Sequence, residues 1–252
     1  MGYTGAPVFA AQAAVRSGAG LVTVGVPAPV WPIAAAKLDE AMPHPLPAGK
    51  EGQLSLEAGE AAMTRLAGCG VCLIGPGLGR GNGVAAVVRH LLGEIHLPVV
   101  LDADGINALE GHIDVLDEPP GLRHGAHCPT TGSLSGWGRA VVGRPPWAAR
   151  AFAVEHACCL GAQGTPHHHR LPPTARPTST PAATAGRGSG DVLAGLILSL
   201  LGQGLPARQA VPMAVWLHGE AGEVCARAIG EYGMTPTDVI AALPAVIEEH
   251  VS

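Results

Sequence analysis

Short apolar segments alternate with helical segments through the first 110 residues of the chain. GVCLIGPGLGRG (70–81) predicts a strand and a glycine turn, and a helix follows over 83–95. A second predicted strand ends in two acids, Asp102 and Asp104, before another helix. This alternation predicts an α/β fold with a mainly parallel central sheet and helices on both faces. In such sheets a ligand binds at the carboxyl ends of the strands.

The composition indicates one globular α/β domain with a substantial buried core, over residues 1–252. Hydrophobic residues make up 47% of the chain and charged residues only 14%, which excludes a disordered protein. The net charge of −5 gives no electrostatic footprint for nucleic acid. No apolar run reaches the roughly 18 residues of a membrane span, and a basic segment typical of a secretory signal is missing. We therefore expect a cytoplasmic protein that binds neither membrane nor nucleic acid.

Two groups of residues resemble metal or redox motifs but do not predict such a site. Cys69 and Cys72 form a CxxC within what reads as a buried strand, where two residues three apart face opposite ways. The tract His167–His169 has no further ligand at a suitable spacing. The six cysteines show no disulfide framework for a chain of this length. No metal-ligating residue is predicted.

The segment GRGSGDVLAGLILSLLGQG places one acid, Asp191, between a glycine turn and a long apolar helix. Gly188 and Gly190 permit close backbone approach, and the amides of Ser189, Gly190 and Asp191 can point together at an anion. Asp191 then has two interpretations. It is a general base beside a transferring phosphoryl group, or it is only the cap of the helix.

Two further loops are candidate parts of a site because they follow predicted strands. GPGLG (Gly75–Gly79) lacks the dinucleotide fingerprint spacing, so it either lets a ligand lie against the backbone or is a plain turn. Asp102 and Asp104 either orient the substrate or a magnesium ion, or cap the next helix.

Five segments taken together resemble a known family. They are YTGAPVFAAQAAVRSGAGLVTVGVP, EAMPHPLP, CLIGPGLGRG, PVVLDADGINAL and GSGDVLAGLILSLLGQGLPARQAVPMAVWLHGEAGE, in this order. The chain thereby resembles the ADP/ATP-dependent NAD(P)H-hydrate dehydratases of the ribokinase-like superfamily. The resemblance implies a ribokinase-like fold and repair of NADH or NADPH whose ring has been hydrated. The nucleotide would phosphorylate the ring hydroxyl, and phosphate would then leave.

The resemblance also implies roles for particular residues. Asp191 matches the catalytic acid, and the anion hole matches Gly188, Ser189 and Gly190. The residues implied for the hydrated dinucleotide are Ala6, Gly77, Gly79, Asp102 and Asn107. ADP or ATP with Mg²⁺ would be required, NAD(P)H hydrate would be the substrate, and a homo-tetramer is the usual assembly. A small-molecule kinase of the same superfamily, acting on a vitamin precursor, is the alternative function.

The chain also departs from the family pattern. Family members usually begin one strand earlier, so we expect an N-terminally truncated domain. Three motifs are missing, including the nucleotide-binding lysine, where Gly161 aligns. Reading the codons of an atypical segment at about 119–187 in a shifted frame restores all three. We therefore hypothesise that parts of 122–187 are out of frame. The rival interpretation is a diverged or disordered insert. As written, the chain is expected to bind nucleotide weakly, and a damaged, inactive copy is a further alternative.

Overall fold

The computed structural model describes residues 3–116, 126–128, 159–162, 168–170 and 188–251. Of the three short central segments it gives the backbone and its pairing. The helices of the described part are α1 (Gly5–Arg16), α2 (Trp31–Ala35), α3 (Ala58–Leu66), α4 (Asn82–Glu94), α5 (Asp104–Asn107), α6 (Ser189–Gly202), α7 (Ala207–Ile229) and α8 (Pro236–Val251). The strands are β1 (Thr23–Pro27), β2 (Met42–Leu46), β3 (Cys72–Ile74), β4 (Val99–Asp102), β5 (Ala126–Cys128), β6 (Cys159–Ala162) and β7 (His168–Arg170).

The described strands form two sheets. β1 and β2 make a parallel pair, and the other five strands follow the order β3-β4-β5-β6-β7. All neighbours in the larger sheet are parallel except β6 and β7, which are antiparallel with Gly161 opposite His169. The prediction of a mainly parallel sheet is therefore confirmed, although the described strands lie in two sheets instead of one.

Helices cover both faces of the larger sheet. Val100 and Leu101 are adjacent on β4 and fully buried, and their side chains belong to different core clusters. Val100 packs with residues of α6, α7 and α8. Leu101 packs with α4 and neighbouring residues. This arrangement follows from the period of two along a strand, which sends successive side chains to opposite faces.

Helix α6 is the centre of the first cluster, as expected from its uniformly apolar sequence. Eleven of its residues are buried. A β-carbon at Gly195 would lie only 2.1 Å from the carbonyl oxygen of Ala10 on α1, so the two backbones are in direct contact there. One turn further, Ser199 Oγ donates a hydrogen bond to the carbonyl of Ser17 at 3.1 Å. These contacts fix α1 against the helix that carries Asp191.

Two features of the fold differ from what the sequence indicated. β2 runs through Pro43 and Pro45, a segment for which no strand was predicted. Among the described strands it pairs with β1 alone, and proline is tolerated at such an edge position. The assignment of Cys69 and Cys72 to opposite faces of one strand is wrong. Cys69 precedes β3, where its Sγ donates to the carbonyl of Arg65 at 3.5 Å, and both cysteines line the same apolar cavity of about 190 Å³.

Candidate active site

The acid Asp191 is the third residue of α6. Gly188 precedes the helix in a left-handed conformation, with φ of 102°, and Ser189 and Gly190 open its first turn. Both Ser189 and Gly190 are buried. Asp191 is therefore not the N-cap of its helix, and the interpretation that it serves only as a cap does not fit its position. Its backbone amide is among the first-turn amides that lack an intrahelical acceptor and carry the positive end of the helix dipole.

The environment of the Asp191 carboxylate adjusts its basicity. Burial, and then the negative charge of Asp104, raise its pKa to about 6. An acid with this pKa is mostly ionised at pH 7 and still accepts a proton more readily than an exposed aspartate does. Among the hydrogen bonds between described residues, none involves this carboxylate. These are the properties required of a general base near neutral pH.

Asp104 fastens the glycine loop to the end of β4. Its Oδ2 accepts a hydrogen bond from the Gly79 amide at 2.9 Å, and its Oδ1 accepts one from Asn107 Nδ2 at 3.0 Å. The Arg80 Nε lies 3.7 Å from the same Oδ1. The residue before it, Ala103, has φ of 48° and ψ of −119°, a conformation that costs a non-glycine residue about 1–3 kcal/mol. The turn is thus held in a specific, strained geometry.

The loop Gly75–Gly79 lies in close contact with β4 and with the start of α1. A β-carbon at Gly75 would meet the carbonyl oxygen of Asp102 at 1.7 Å, so only glycine fits there. A β-carbon at Gly77 would lie 2.6 Å from the Tyr3 carbonyl oxygen and 3.3 Å from the Ala6 β-carbon. At Gly79, by contrast, no atom of the described residues lies within 4 Å of an added β-carbon. The loop therefore has a packed base and an open end.

Two cavities flank the open end of this loop. The smaller, of about 250 Å³, lies between the loop, the start of α1 and the end of β1. The larger, of about 440 Å³, lies between the loop, the start of α4 and α5. Gly79 and Arg80 line both cavities and form the ridge between them.

The predicted site residues lie in three places. Gly188, Ser189 and Gly190 form the start of α6. Gly77 lines the smaller cavity and lies close to Ala6. Gly79 and Asn107 both donate hydrogen bonds to the Asp104 carboxylate, and the charge of that carboxylate helps to raise the pKa of Asp191. Asp102 is fully buried at the end of β4 and lines neither cavity.

Arg80 was not among the site residues predicted from the sequence. For Asp104 the sequence left two roles open, orienting a ligand or capping a helix. Asp104 is the first residue of α5 and bonds to the glycine loop instead of capping. The signal that could have found Arg80 is its place directly after GPGLG, at a predicted strand end.

Some expectations fall outside the described residues. These are the side chains of His167–His169 and the hypothesis that parts of 122–187 are out of frame. Of the residues where the nucleotide-binding lysine is missing, the structure gives only the backbone of β6, which includes Gly161. Across the described ranges, no group of three or more histidine, cysteine, aspartate or glutamate side chains could hold a metal ion. None of the helices in those ranges is long and apolar enough to cross a membrane.

Comparison with known proteins identifies the family. The family model for NAD(P)H-hydrate dehydratase (Carb_kinase) matches residues 1–121 and 161–245. The chain is 39% identical over 253 residues to the bifunctional NAD(P)H-hydrate repair enzyme Nnr of Moorella thermoacetica, covering 98% of this chain and 47% of that protein. The chain therefore belongs to the NAD(P)H-hydrate dehydratase family. It spans about half the length of the first curated relatives it matches.

Two further similarities concern a relative of comparable length and the fold. The ADP-dependent (S)-NAD(P)H-hydrate dehydratase of Xanthomonas campestris pv. campestris is 29% identical over 254 residues, covering 97% of this chain and 84% of that protein. The crystal structure of the ADP/ATP-dependent NAD(P)H-hydrate dehydratase from Bacillus subtilis superposes with a TM-score of 0.74 at 24% identity, covering 98% and 87% of the two chains. The ribokinase-like α/β fold is thereby confirmed.

The family model leaves 122–160 unmatched, within the atypical segment, but it does match 161–187. The predicted single domain and its truncation remain predictions.

Proposed function

We propose that the chain dehydrates hydrated NADH or NADPH with ADP or ATP as phosphoryl donor. The observation that carries the proposal is the position of Asp191, a partly buried carboxylate with a raised pKa in the first turn of a helix that opens with glycine. An anion hole and a base within one helical turn are what phosphoryl transfer to a hydroxyl requires. The names of the relatives, a hydrate repair enzyme and an ADP-dependent hydrate dehydratase, support the substrate.

In the first step the ring hydroxyl of the hydrate is phosphorylated. Its oxygen attacks the terminal phosphorus of the nucleotide, the bond from that phosphorus to the bridging oxygen breaks, and Asp191 accepts the hydroxyl proton. The amides of Ser189, Gly190 and Asp191 stabilise the charge on the phosphoryl oxygens. Because these donors are fixed by the helix, they need no reorganisation during the transfer.

In the second step phosphate leaves. The bond between the ring carbon and the ester oxygen breaks, and its electrons depart with the phosphate. The neighbouring ring carbon loses a proton to the departing phosphate, and the double bond of NADH or NADPH is restored. The products are the repaired dinucleotide, inorganic phosphate and the shortened nucleotide.

A magnesium requirement is proposed as a property of the nucleotide. The described residues offer no cluster that could hold a metal by itself. Mg²⁺ is usually bound through one or two carboxylates together with substrate phosphates, so it would neutralise charge on the nucleotide. We also propose that the protein is cytoplasmic and forms a homo-tetramer. Light scattering measures the mass of the assembly and tests the tetramer directly.

The test is incubation with hydrated NADH or NADPH, nucleotide and Mg²⁺, while the absorbance of the reduced nicotinamide is recorded. A parallel panel of hydroxymethylpyrimidine and thiazole precursors tests the alternative kinase. Recovery of reduced nicotinamide, with one phosphate released per turnover, is the expected result. Phosphorylation of a precursor without recovery would replace the proposal with the kinase. Absence of both activities would indicate an inactive copy.

A further inference from the structure

We propose that Arg80, held by Asp104, binds a phosphate group of the dinucleotide substrate. The inference rests on the proposed function, because it names a binding residue for that substrate. Arg80 follows the loop that the dinucleotide is expected to contact, and its side chain is 63% exposed. A guanidinium presents several N–H donors in a planar fork that matches a phosphate group.

The ridge position of Arg80 matches the shape of a dinucleotide. Ligand sites commonly enclose about 300–1,000 Å³, and the smaller cavity, at about 250 Å³, is below that range. A dinucleotide in contact with Gly77 would therefore extend beyond this cavity. The larger cavity begins at the same two residues, Gly79 and Arg80. A ligand of two halves joined by a pyrophosphate would cross the ridge at its linkage.

Arg80 is also the cation best placed for this contact. It is the only lysine or arginine among the described residues that line the smaller cavity. The larger cavity adds Arg89, whose Nη1 already donates to the carbonyl of Ala108 at 3.1 Å. The Asp104 carboxylate lies 3.7 Å from Arg80 Nε, so this ion pair engages Nε and leaves the two terminal nitrogens as donors for a phosphate. Two phosphates could occupy the position, the pyrophosphate or the 2′-phosphate of NADPH.

The decisive variant is Arg80→Gln, with Arg227→Gln as a matched control. Arg227 is equally exposed, at 64%, and is likewise paired with a carboxylate, Glu220, at 3.4 Å, but it lies on α7. Both changes remove one positive charge from the surface. If both variants lose affinity for the hydrates, the loss is an effect of net charge. If only the Arg80 variant loses affinity, Arg80 makes a specific contact with the substrate. Equal melting temperatures show that both variants fold.

Calorimetry with hydrated NADH and hydrated NADPH, without nucleotide, measures binding independently of turnover. Arg80→Gln is expected to weaken binding by about 10- to 100-fold relative to Arg227→Gln, the usual range for a lost charge-assisted hydrogen bond. If affinity falls for both substrates, Arg80 contacts the pyrophosphate. If it falls for NADPH hydrate alone, Arg80 contacts the 2′-phosphate. Arg80→Lys should retain part of the affinity, because the charge remains and the fork is lost. Asp104→Asn removes the carboxylate that pairs with Arg80 and should weaken binding of the hydrates by at most about fivefold.

The same measurements separate this inference from the proposed function. If the unaltered chain binds and dehydrates the hydrates and Arg80→Gln binds them as tightly as Arg227→Gln, the Arg80 assignment is overturned and the function remains. If the unaltered chain binds the hydrates but does not dehydrate them, the function fails and the comparison of the two variants still decides the contact. If the unaltered chain binds neither hydrate, both are overturned.

Discussion

A glycine precedes each of two helices of this protein, α6 and α4, and the surroundings of the two glycines differ. Gly188 precedes α6 with φ of 102°, and Gly81 precedes α4 with φ of 143°. Neither helix has a side-chain cap, but only α6 carries an acid in its first turn. A β-carbon at Gly188 would meet the ring of Phe9 at 3.0 Å, whereas one at Gly79 or Gly81 would meet no atom of the described residues within 4 Å.

The difference separates two uses of glycine at a helix start. At the start of α6, Gly188 is packed against Phe9, and burial raises the pKa of the nearby acid Asp191. The open loop before α4 exposes backbone and the Arg80 side chain to a ligand. A glycine-rich turn followed by a helix does not by itself distinguish the two uses. They are distinguished by the acid in the first turn of the helix and by the residues packed against the glycine.

The largest expected effect comes from Asp191→Asn. It preserves shape and removes the proton acceptor, so activity should fall by about 100- to 10,000-fold, the usual contribution of a general base. Steady-state kinetics of hydrate dehydration measures it. A variant that retained most of the activity would leave Asp191 without a catalytic role.

The same change should not weaken the fold. The folded-state pKa of Asp191 is raised from 3.8 to about 6, so the stabilisation from its protonated form is complete below pH 3.8 and is lost as the pH rises through about 6. At pH 7 Asp191→Asn removes a disfavoured charge and should increase the free energy of unfolding by up to about 3 kcal/mol. Denaturant unfolding tests this, and a clear loss of stability would point to a structural role.

Gly188→Ala is expected to reduce stability. The added methyl group must adopt a positive φ and would meet Phe9 and Pro236 at 3.0 and 3.1 Å, which together should cost about 2–3 kcal/mol. Chemical denaturation measures the loss. A neutral result would show that the start of α6 is less tightly enclosed than its contacts indicate.

Gly79→Ala should have the smallest effect on stability and a selective effect on binding. Its φ is 78°, but no atom in the described part of the chain lies within 4 Å of an added β-carbon, so we expect a cost of about 1–2 kcal/mol from backbone strain. We expect KM for the hydrate to rise while kcat changes little. If kcat fell and KM stayed constant, the open end of the loop would belong to the chemistry rather than to binding.

Much of this arrangement could be predicted from the sequence, and the reasons for the failures are specific. The buried helix α6 and the strand ends at Gly75 and Asp102 were predictable, because apolar periodicity and glycine turns are local signals. β2 was not, because Pro43 and Pro45 are unfavourable in a strand unless it lies at an edge, and that position is set by tertiary pairing.

The connection of Asp104 to Gly79 could not be predicted either. It joins two residues 25 positions apart through a turn whose Ala103 adopts a conformation that its residue type disfavours. Position in the fold, not local preference, determines that contact.

The pH dependence of kcat/KM for hydrate dehydration tests the central claim most directly. If Asp191, raised to a pKa of about 6 by burial and by Asp104, is the base, activity should fall on the acid side with a midpoint near pH 6. In Asp104→Asn the midpoint should move to lower pH, because a neighbouring negative charge is removed. A midpoint near pH 4 in the unaltered chain, or one that does not respond to Asp104→Asn, would contradict the account.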